Sequence, residues 1–177
     1  MAKQQWIADP NHSELGFKIR HLMITNINGK FNNFTVDAET EEEDFMTAKV
    51  KVAVDVDSIT TGSTDRDKHL RSPDFFDVNA YKDITFVATR YESVDGDGSY
   101  ELYGDLTIRD VTKNIKLAVE FGGVVKDPWG NTRAGFTING KINRKDFGLN
   151  WNAATEAGGV VVGDDVKISG EVHLVKK

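Results

Sequence analysis

Apolar and polar residues alternate along five long segments of the chain. Every second residue in these segments is apolar, which is typical of β-strands with one buried face. The five segments are residues 50–56, 100–108, 115–121, 136–142 and 166–174. Shorter alternating stretches predict four further strands, over residues 6–8, 14–20, 29–38 and 84–91.

Turn-forming residues separate the predicted strands. Asp95-Gly96-Asp97-Gly98 predicts a tight hairpin, because glycine adopts positive φ angles without steric cost. Asp127-Pro128-Trp129-Gly130-Asn131 predicts a second turn. Gly163-Asp164-Asp165 begins the last strand, and we interpret the acidic stretch 39–44 as a solvent-exposed loop between two strands.

Residues 58–81 form the one long stretch without alternation. A short helix is predicted over residues 64–71, with Ser63 or Thr64 as its N-cap. Pro73 would end this helix, because proline has no backbone N–H to donate. Residues 143–147 are a second candidate for a short helical turn.

The predicted strands indicate the fold class. Antiparallel strands with one apolar face bury that face in a closed barrel or in a sandwich. The sequence therefore predicts an all-β protein with one or two short helices, in a single domain that spans residues 1–177. A barrel of eight strands has room inside for packed side chains or for one small ligand, and alternation alone favours the packed interior.

Composition excludes several kinds of function. The 177-residue chain contains no cysteine, which excludes disulfides, zinc–thiolate sites, iron–sulfur clusters and cysteine nucleophiles. Its net charge of −6 argues against binding to nucleic acid. The glycine-rich fingerprints of serine hydrolases, phosphate-binding loops and dinucleotide-binding folds are also absent from the sequence.

The N-terminal residues indicate the cellular compartment in which the protein is expected. They lack the apolar segment and the cleavage site of a secretory signal. No apolar run approaches the roughly 20 residues that a membrane-spanning helix needs. We therefore expect a cytoplasmic protein without a membrane span, or a periplasmic one if the sequence is a mature form whose signal has been removed.

Several motifs follow one another in a specific order. The first is Trp6-Ile7-Ala8-Asp9-Pro10-Asn11-His12-Ser13, and the most distinctive is Arg66-Asp67-Lys68-His69-Leu70-Arg71-Ser72-Pro73-Asp74-Phe75-Phe76. Asn143-Arg144-Lys145-Asp146-Phe147-Gly148-Leu149 comes later. Together they resemble the YceI-like family of lipocalin-like bacterial proteins, from about Trp6 to Val175. Two turns depart from that family, which usually has Pro where Lys82-Asp83 stands and Gly where Asp110 stands.

The resemblance implies an elongated, antiparallel, eight-stranded lipocalin-like barrel around an apolar tunnel. In the family this tunnel holds a polyisoprenoid tail, such as that of a quinone or a polyprenyl phosphate. The resemblance thus implies non-catalytic binding, storage or transport of a long-chain isoprenoid lipid, without a cofactor. The expected lining is the inward-facing set Phe17, Ile19, Phe31, Phe34, Phe86, Leu106, Phe136 and Ile138, with Phe75, Phe76 and Trp151 at the tunnel ends.

A polar head group at the tunnel mouth would need hydrogen-bond donors. The candidates are Arg66, His69 and Arg71 in the non-strand segment, with His21 and Arg144 elsewhere. Arg66 and Asp67 fit equally well a structural network that holds this segment on the barrel. We interpret His12-Ser13 as a turn-capping pair.

Other functions stay open. Asp65, Asp67 and His69 would share a face only on a strand, so we predict no metal site. An enzyme acting on a lipid-like substrate could use His69 or His21 as its acid–base group. A filled barrel could serve as an interaction module, with a homodimer as one form.

Overall fold

β-Strands make up most of the molecule. The computed structural model describes residues 2–94, 98–153 and 161–177. These residues form one α-helix, α1 (Thr64–Arg71), and two 3₁₀ turns, Val56–Ser58 and Arg144–Phe147. They also form eleven strands: β1 (Lys3–Ala8), β2 (Glu14–His21), β3 (Thr25–Phe31), β4 (Phe34–Glu41), β5 (Asp44–Asp55), β6 (Ile59–Thr60), β7 (Asp83–Ser93), β8 (Ser99–Ile108), β9 (Val111–Lys126), β10 (Thr132–Asn143) and β11 (Val162–Lys176).

Eight of these strands close into an antiparallel barrel. Around the ring their order is β1, β4, β5, β7, β8, β9, β10 and β11, and β11 pairs again with β1. The same edge of β11 pairs with β1 near its end and with β2 along Val162–Glu171. β3 then pairs with β2, and β6 with β3. The predicted eight-stranded barrel is therefore confirmed.

The two ends of the barrel differ. One end, which we call the α1 end, carries helix α1, the β2–β3 turn, the β8–β9 turn and the 3₁₀ turn Arg144–Phe147. The opposite end, which we call the far end, carries the β4–β5 and β9–β10 turns. In the described part of the chain, no helix is both long enough and apolar enough to cross a bilayer.

The short helix forms where the sequence predicts it. The Ser63 hydroxyl accepts a hydrogen bond from the backbone N–H of Arg66, which is the capping contact expected at a helix N-terminus. The helix ends at Arg71, two residues before Pro73. The second predicted turn is a 3₁₀ turn capped by Asn143, and Gly148 follows it with a left-handed φ of 78°.

The segment 29–38 is predicted as one strand but forms two. β3 ends at Phe31 and β4 begins at Phe34, and the backbone N–H groups of Asn32 and Asn33 bond to Ser58 between them. Phe31 and Phe34 are three residues apart, so one continuous strand would place them on opposite faces. Two strands separated by a turn let both side chains pack towards the core.

The prediction that the whole acidic stretch 39–44 is a loop is wrong. β4 continues to Glu41 and β5 begins at Asp44, so only Glu42 and Glu43 form the turn. Thr40 anchors this region, because its buried hydroxyl accepts a 2.9 Å hydrogen bond from Nε1 of Trp6. The predicted hairpin at Asp95-Gly96-Asp97-Gly98 falls largely on residues 95–97, which lie outside the described residues.

Candidate ligand-binding site

A cavity of about 580 Å³ lies inside the barrel. Its wall is mostly apolar, and its size lies within the range of small-molecule pockets. Most of the lining predicted from the sequence belongs to this wall: Phe17, Ile19, Phe31, Phe75, Phe76, Phe86, Leu106, Phe136, Ile138 and Trp151. The interior of the barrel is therefore not completely filled by its own side chains.

Two predicted site residues lie outside the cavity wall. Phe34 has the inward phase of β4, but it packs against the buried core without lining the cavity. Arg71 donates to the backbone oxygens of Asp57 and Ile59, both at 3.1 Å. Arg71 thus ties the end of α1 to the chain around β6.

An aromatic cluster forms the floor of the cavity towards the far end. Phe45 lies at its centre, with ring centroids 4.9 Å from Trp6, 4.9 Å from Phe136 and 5.5 Å from Phe121. Phe45 and Phe136 line the cavity, whereas Trp6 and Phe121 lie behind them. The cavity therefore ends on these rings.

Two tyrosines in the wall were not among the predicted site residues. Tyr91 donates a 2.7 Å hydrogen bond to the backbone oxygen of Ala48, and its ring lies 5.6 Å from that of Tyr100. Burial raises the pKa of Tyr91 to about 12 and also raises the pKa of Tyr100. Both phenols are therefore neutral at physiological pH. Tyr100 could have been predicted from the sequence, because it is one of the alternate residues of β8 that face the barrel interior.

Two phenylalanine rings of the cavity wall pack directly over glycines, which have no side chain to obstruct them. The ring of Phe17 lies over Gly29, its cross-strand neighbour, and the ring of Phe86 lies over Gly104. A Cβ atom at either glycine would lie 2.3 Å from the Cζ atom of the ring above it. The positions of these rings in the wall therefore require glycine beneath them.

The polar part of the wall lies at the α1 end. His69 projects from α1, with Nε2 2.9 Å from a carboxylate oxygen of Asp74. Its ring packs edge-on against Trp151 at 4.6 Å and against Phe75 at 5.1 Å. This arrangement brings the predicted residues His69, Phe75 and Trp151 into one cluster.

Arg66 and Asp67 both bind Thr61. Arg66 donates to the hydroxyl of Thr61 at 2.8 Å and to its backbone oxygen at 2.7 Å. Buried Asp67 accepts from the backbone N–H of Thr61 at 2.9 Å and from its hydroxyl at 2.6 Å. The structural alternative from the sequence is thus present, as a network through Thr61 that anchors α1 beside β6. Arg66 also lines the cavity.

Arg144 is the most deeply buried charged residue of the wall, at 2% exposure. Its guanidinium donates to the backbone oxygens of Gly163, Leu149, Trp151 and Val162. Burial lowers the pKa of Arg144, and Asp164 partly offsets that effect. Most of the donors that the sequence assigned to a head group therefore hold the chain around the α1 end.

His21 differs from the other polar groups. It lies half-buried at the end of β2 and lines the cavity. Among the described residues, no side-chain hydrogen bond to its imidazole is present, so the ring nitrogens can serve a ligand. The same part of the chain contains no cluster of three or more His, Asp or Glu side chains arranged to hold a metal ion.

The predicted capping pair His12-Ser13 belongs to a larger network at the far end. Asp9 accepts from Arg133 at 2.6 Å and lies 2.8 Å from Nδ1 of His12. Arg133 also donates to Asp127 at 2.7 Å. The Ser13 hydroxyl bonds the backbone of His173. This network connects the β1–β2 turn to the β9–β10 turn, and it does not touch the cavity.

Known proteins share both the sequence and the barrel. The YceI-like domain model matches residues 6–174. The UPF0312 protein SAS2572 of Staphylococcus aureus is 41% identical over 94% of each chain. The crystal structure of the Campylobacter jejuni YCEI protein is 35% identical, with a TM-score of 0.74 over 88% of each chain. A polyisoprenoid binding domain from Saccharophagus degradans shares the fold at 15% identity, with a TM-score of 0.64, over 96% of this chain and 97% of that domain.

Proposed function

This chain belongs to the YceI-like domain family, and on that premise we propose that its barrel binds the long apolar tail of an isoprenoid lipid without catalysing a reaction. The observation that carries the proposal is the apolar cavity of about 580 Å³, which extends from the aromatic floor around Phe45 to the polar α1 end. The Saccharophagus domain, which shares the fold, is described as binding polyisoprenoids.

The size of the apolar surface supports useful affinity. Burial of several hundred Å² of tail at roughly 25 cal/mol per Å² gives on the order of 10 kcal/mol before costs. Ordering a flexible tail and restricting its motion offsets much of that gain. A dissociation constant in the low-micromolar range or below is therefore expected.

The head group would lie at the α1 end. A quinone carbonyl or a phosphate needs hydrogen-bond donors there, and imidazole supplies them. His21 is our first candidate because its ring carries no other hydrogen bond among the described residues. His69 is the second, because it lines the cavity although it also contacts Asp74. No cofactor is needed for this role, and storage or transport are both consistent with it.

Lipid extraction from the purified protein tests the proposal directly. Protein prepared without detergent is extracted with organic solvent, and the extract is analysed by mass spectrometry. We expect a long-chain isoprenoid lipid, and we expect delipidated protein to bind one again. Extracts that repeatedly lack any long-chain lipid, together with failed rebinding, would contradict the proposal.

Catalysis is the competing function, since the His69–Asp74 pair in the cavity wall could act as an acid–base group. Incubation of delipidated protein with candidate isoprenoid lipids, followed by product analysis, separates the two functions. We expect the lipid to be recovered unchanged. Turnover that is lost in His69→Ala while binding persists would show an enzyme instead of a carrier.

A further inference from the structure

Three consecutive large apolar residues are exposed at the tip of the β2–β3 hairpin. Leu22, Met23 and Ile24 are 40%, 51% and 72% exposed. The tip directly follows His21 in the cavity wall, so it projects from the α1 end. Contiguous exposed apolar side chains on a water-soluble surface mark sites of interaction.

The backbone of this tip is unusual for its residues. Leu22 and Met23 have φ angles of 53° and 58°, in the left-handed region. A β-turn whose two central residues have these angles is easiest to form from Asn and Gly, because larger side chains are disfavoured there. The turn alone does not need large apolar side chains, so their presence requires another explanation.

Several polar backbone groups of the tip form hydrogen bonds within the protein. The N–H of Leu22 donates to Val161 at 2.8 Å, and the N–H of Ile24 donates to His21 at 3.2 Å. The carbonyl of Met23 accepts a 2.7 Å hydrogen bond from the Arg20 guanidinium. A segment that enters the apolar part of a bilayer needs such internal pairing, because no water is available there.

A row of lysines crosses the outer wall beside the tip. Lys18 of β2 lies opposite Lys167 of β11, which lies opposite Lys141 of β10. All three side chains are exposed. Like charges in direct register are unfavourable in a sheet. Asp165 lies 3.6 Å from Lys141, but among the described residues no carboxylate lies within 4 Å of Lys18 or Lys167.

The lysine row is part of a wider cationic surface. A shallow outer groove on β2, β11, β10 and β9 has one acidic lining residue, Asp146. Its basic lining residues are Lys18, Lys113, Lys116, Lys141 and Lys167. The surface lies close to the tip, because Lys18 precedes Leu22 by four residues, or about 13 Å of strand. This concentration of positive charge contrasts with the net charge of −6 of the whole chain.

We propose that the tip and the lysine row together dock the barrel on a bilayer that contains anionic lipids. The apolar tip would enter the boundary between head groups and acyl chains, while the lysines contact lipid phosphates. The acidic β4–β5 turn at the far end, with Glu41, Glu42, Glu43 and Asp44, would instead be repelled by anionic lipids. The proposal adds a membrane contact at the α1 end and does not depend on which ligand the cavity holds.

Vesicle flotation tests the proposed contact between the lysines and anionic lipids. The wild type should float with vesicles of equal parts phosphatidylcholine and phosphatidylglycerol, only weakly with phosphatidylcholine alone, and less at high salt. Removing two lysines at about 1 kcal/mol each should lower the partition coefficient of Lys18→Gln/Lys167→Gln about thirty-fold. The matched control is Lys49→Gln/Lys51→Gln. It changes the net charge equally, but on β5, where these lysines lie opposite Glu39 and Asp37 in the strand register, and it should bind like the wild type.

Site-specific labelling tests the proposed insertion of the apolar tip into the bilayer. Because the chain has no cysteine, Ile24→Cys can carry a single environment-sensitive fluorophore. Trp129→Cys, at an 81% exposed position in the far-end turn, is the control. We expect a blue shift on vesicle binding at position 24 and none at position 129.

Other outcomes would overturn the membrane proposal. A shift at position 129, absence of a shift at position 24, or lysine variants that bind like the wild type would each do so. Self-association of the protein through the tip, without vesicle binding, would identify a dimer contact in its place. The vesicles contain no isoprenoid, so failure here leaves the cavity proposal unaffected.

Discussion

Arg144 combines a nearly complete burial with a nearly complete set of hydrogen bonds. Four backbone oxygens surround its guanidinium at 2.6–3.3 Å, and Asp164 lies 3.9 Å away. A buried cation without such partners would strongly destabilise the fold. The carbonyls that Arg144 satisfies belong to Leu149, Trp151, Val162 and Gly163, so Arg144 holds two described segments of the chain together at the α1 end.

Removing Arg144 should therefore destabilise the whole barrel. For Arg144→Ala we expect a loss of about 3 kcal/mol in the free energy of unfolding, because buried carbonyls lose their charged donor. Lys145→Ala, at a half-exposed neighbouring side chain, should cost less than about 0.5 kcal/mol. Urea unfolding measures both values. Equal effects of the two substitutions would show that the hydrogen bonds of Arg144 contribute little.

The glycine beneath Phe86 leads to a second prediction. In Gly104→Ala the new Cβ would lie 2.3 Å from the ring and 2.8 Å from the backbone oxygen of Val87, so both strands must shift. We expect a loss of about 2 kcal/mol and a displaced Phe86 ring. Gly135→Ala, where a Cβ meets nothing within 4 Å, is the control and should be nearly neutral. Thermal unfolding of both variants measures the difference in stability, and equal unfolding temperatures would contradict the prediction.

At the scale of elements, one ion network holds two turns together. Arg133 bridges Asp9 in the β1–β2 turn and Asp127 in the β9–β10 turn. Hydrogen bonds from Arg133, together with the contact of His12 in the case of Asp9, lower the pKa of each carboxyl from 3.8 to about 2. A carboxyl with a depressed pKa stabilises the fold above its unfolded pKa, and this contribution disappears as the pH falls towards about 2.

Acid unfolding should respond to the loss of this network. In Arg133→Gln the pKa values of Asp9 and Asp127 return towards 3.8, so their contribution to stability is lost. We expect the variant to be less stable at neutral pH and to unfold at a higher pH than the wild type. Lys141→Gln, which removes an exposed 3.6 Å pair with Asp165, should shift the midpoint less. Circular dichroism between pH 6 and pH 2 measures the midpoints, and equal midpoints would contradict this view of the network.

Much of the element structure can be predicted from the sequence, because alternation and capping are local signals. β8 and α1 form at the predicted places, whereas β5, β9, β10 and β11 overlap their predicted segments but begin earlier, at Asp44, Val111, Thr132 and Val162. The break between β3 and β4 was missed, because it depends on hydrogen bonds from residues 32 and 33 to Ser58, which is distant in the sequence. The roles of Arg71 and Arg144 could not be predicted for the same reason, whereas for Arg66 the sequence already offered the structural network as an alternative. The carbonyl and hydroxyl groups that they bind come together only in the folded barrel.

At the scale of the whole molecule, the central feature is an apolar space that the protein does not fill. The inward-facing side chains leave about 580 Å³ above the aromatic floor. An empty apolar cavity of this size is unfavourable, since its lining lacks dispersion contacts. A bound apolar tail would supply those contacts, so loading should raise the unfolding temperature.

Filling the cavity should abolish tail binding without unfolding the protein. Ile138 lines the cavity from β10, and Ile138→Trp would place an indole ring in the space proposed for the tail. Asn139→Trp puts the same ring on the exposed outer face of the same strand. We expect tail binding to fall at least ten-fold in the first variant and to stay unchanged in the second. Equal binding by both folded variants, measured by fluorescence titration, would place the tail elsewhere.

The most direct measurement of the central claim is the affinity of delipidated protein for isoprenoid alcohols of increasing length. If the tail lies in the cavity, the dissociation constant should fall with each added isoprene unit until the cavity is full, and then level off. The unfolding temperature should rise in parallel with that affinity. An affinity that does not depend on tail length, or that is equal for a short alcohol and a long one, would contradict the account.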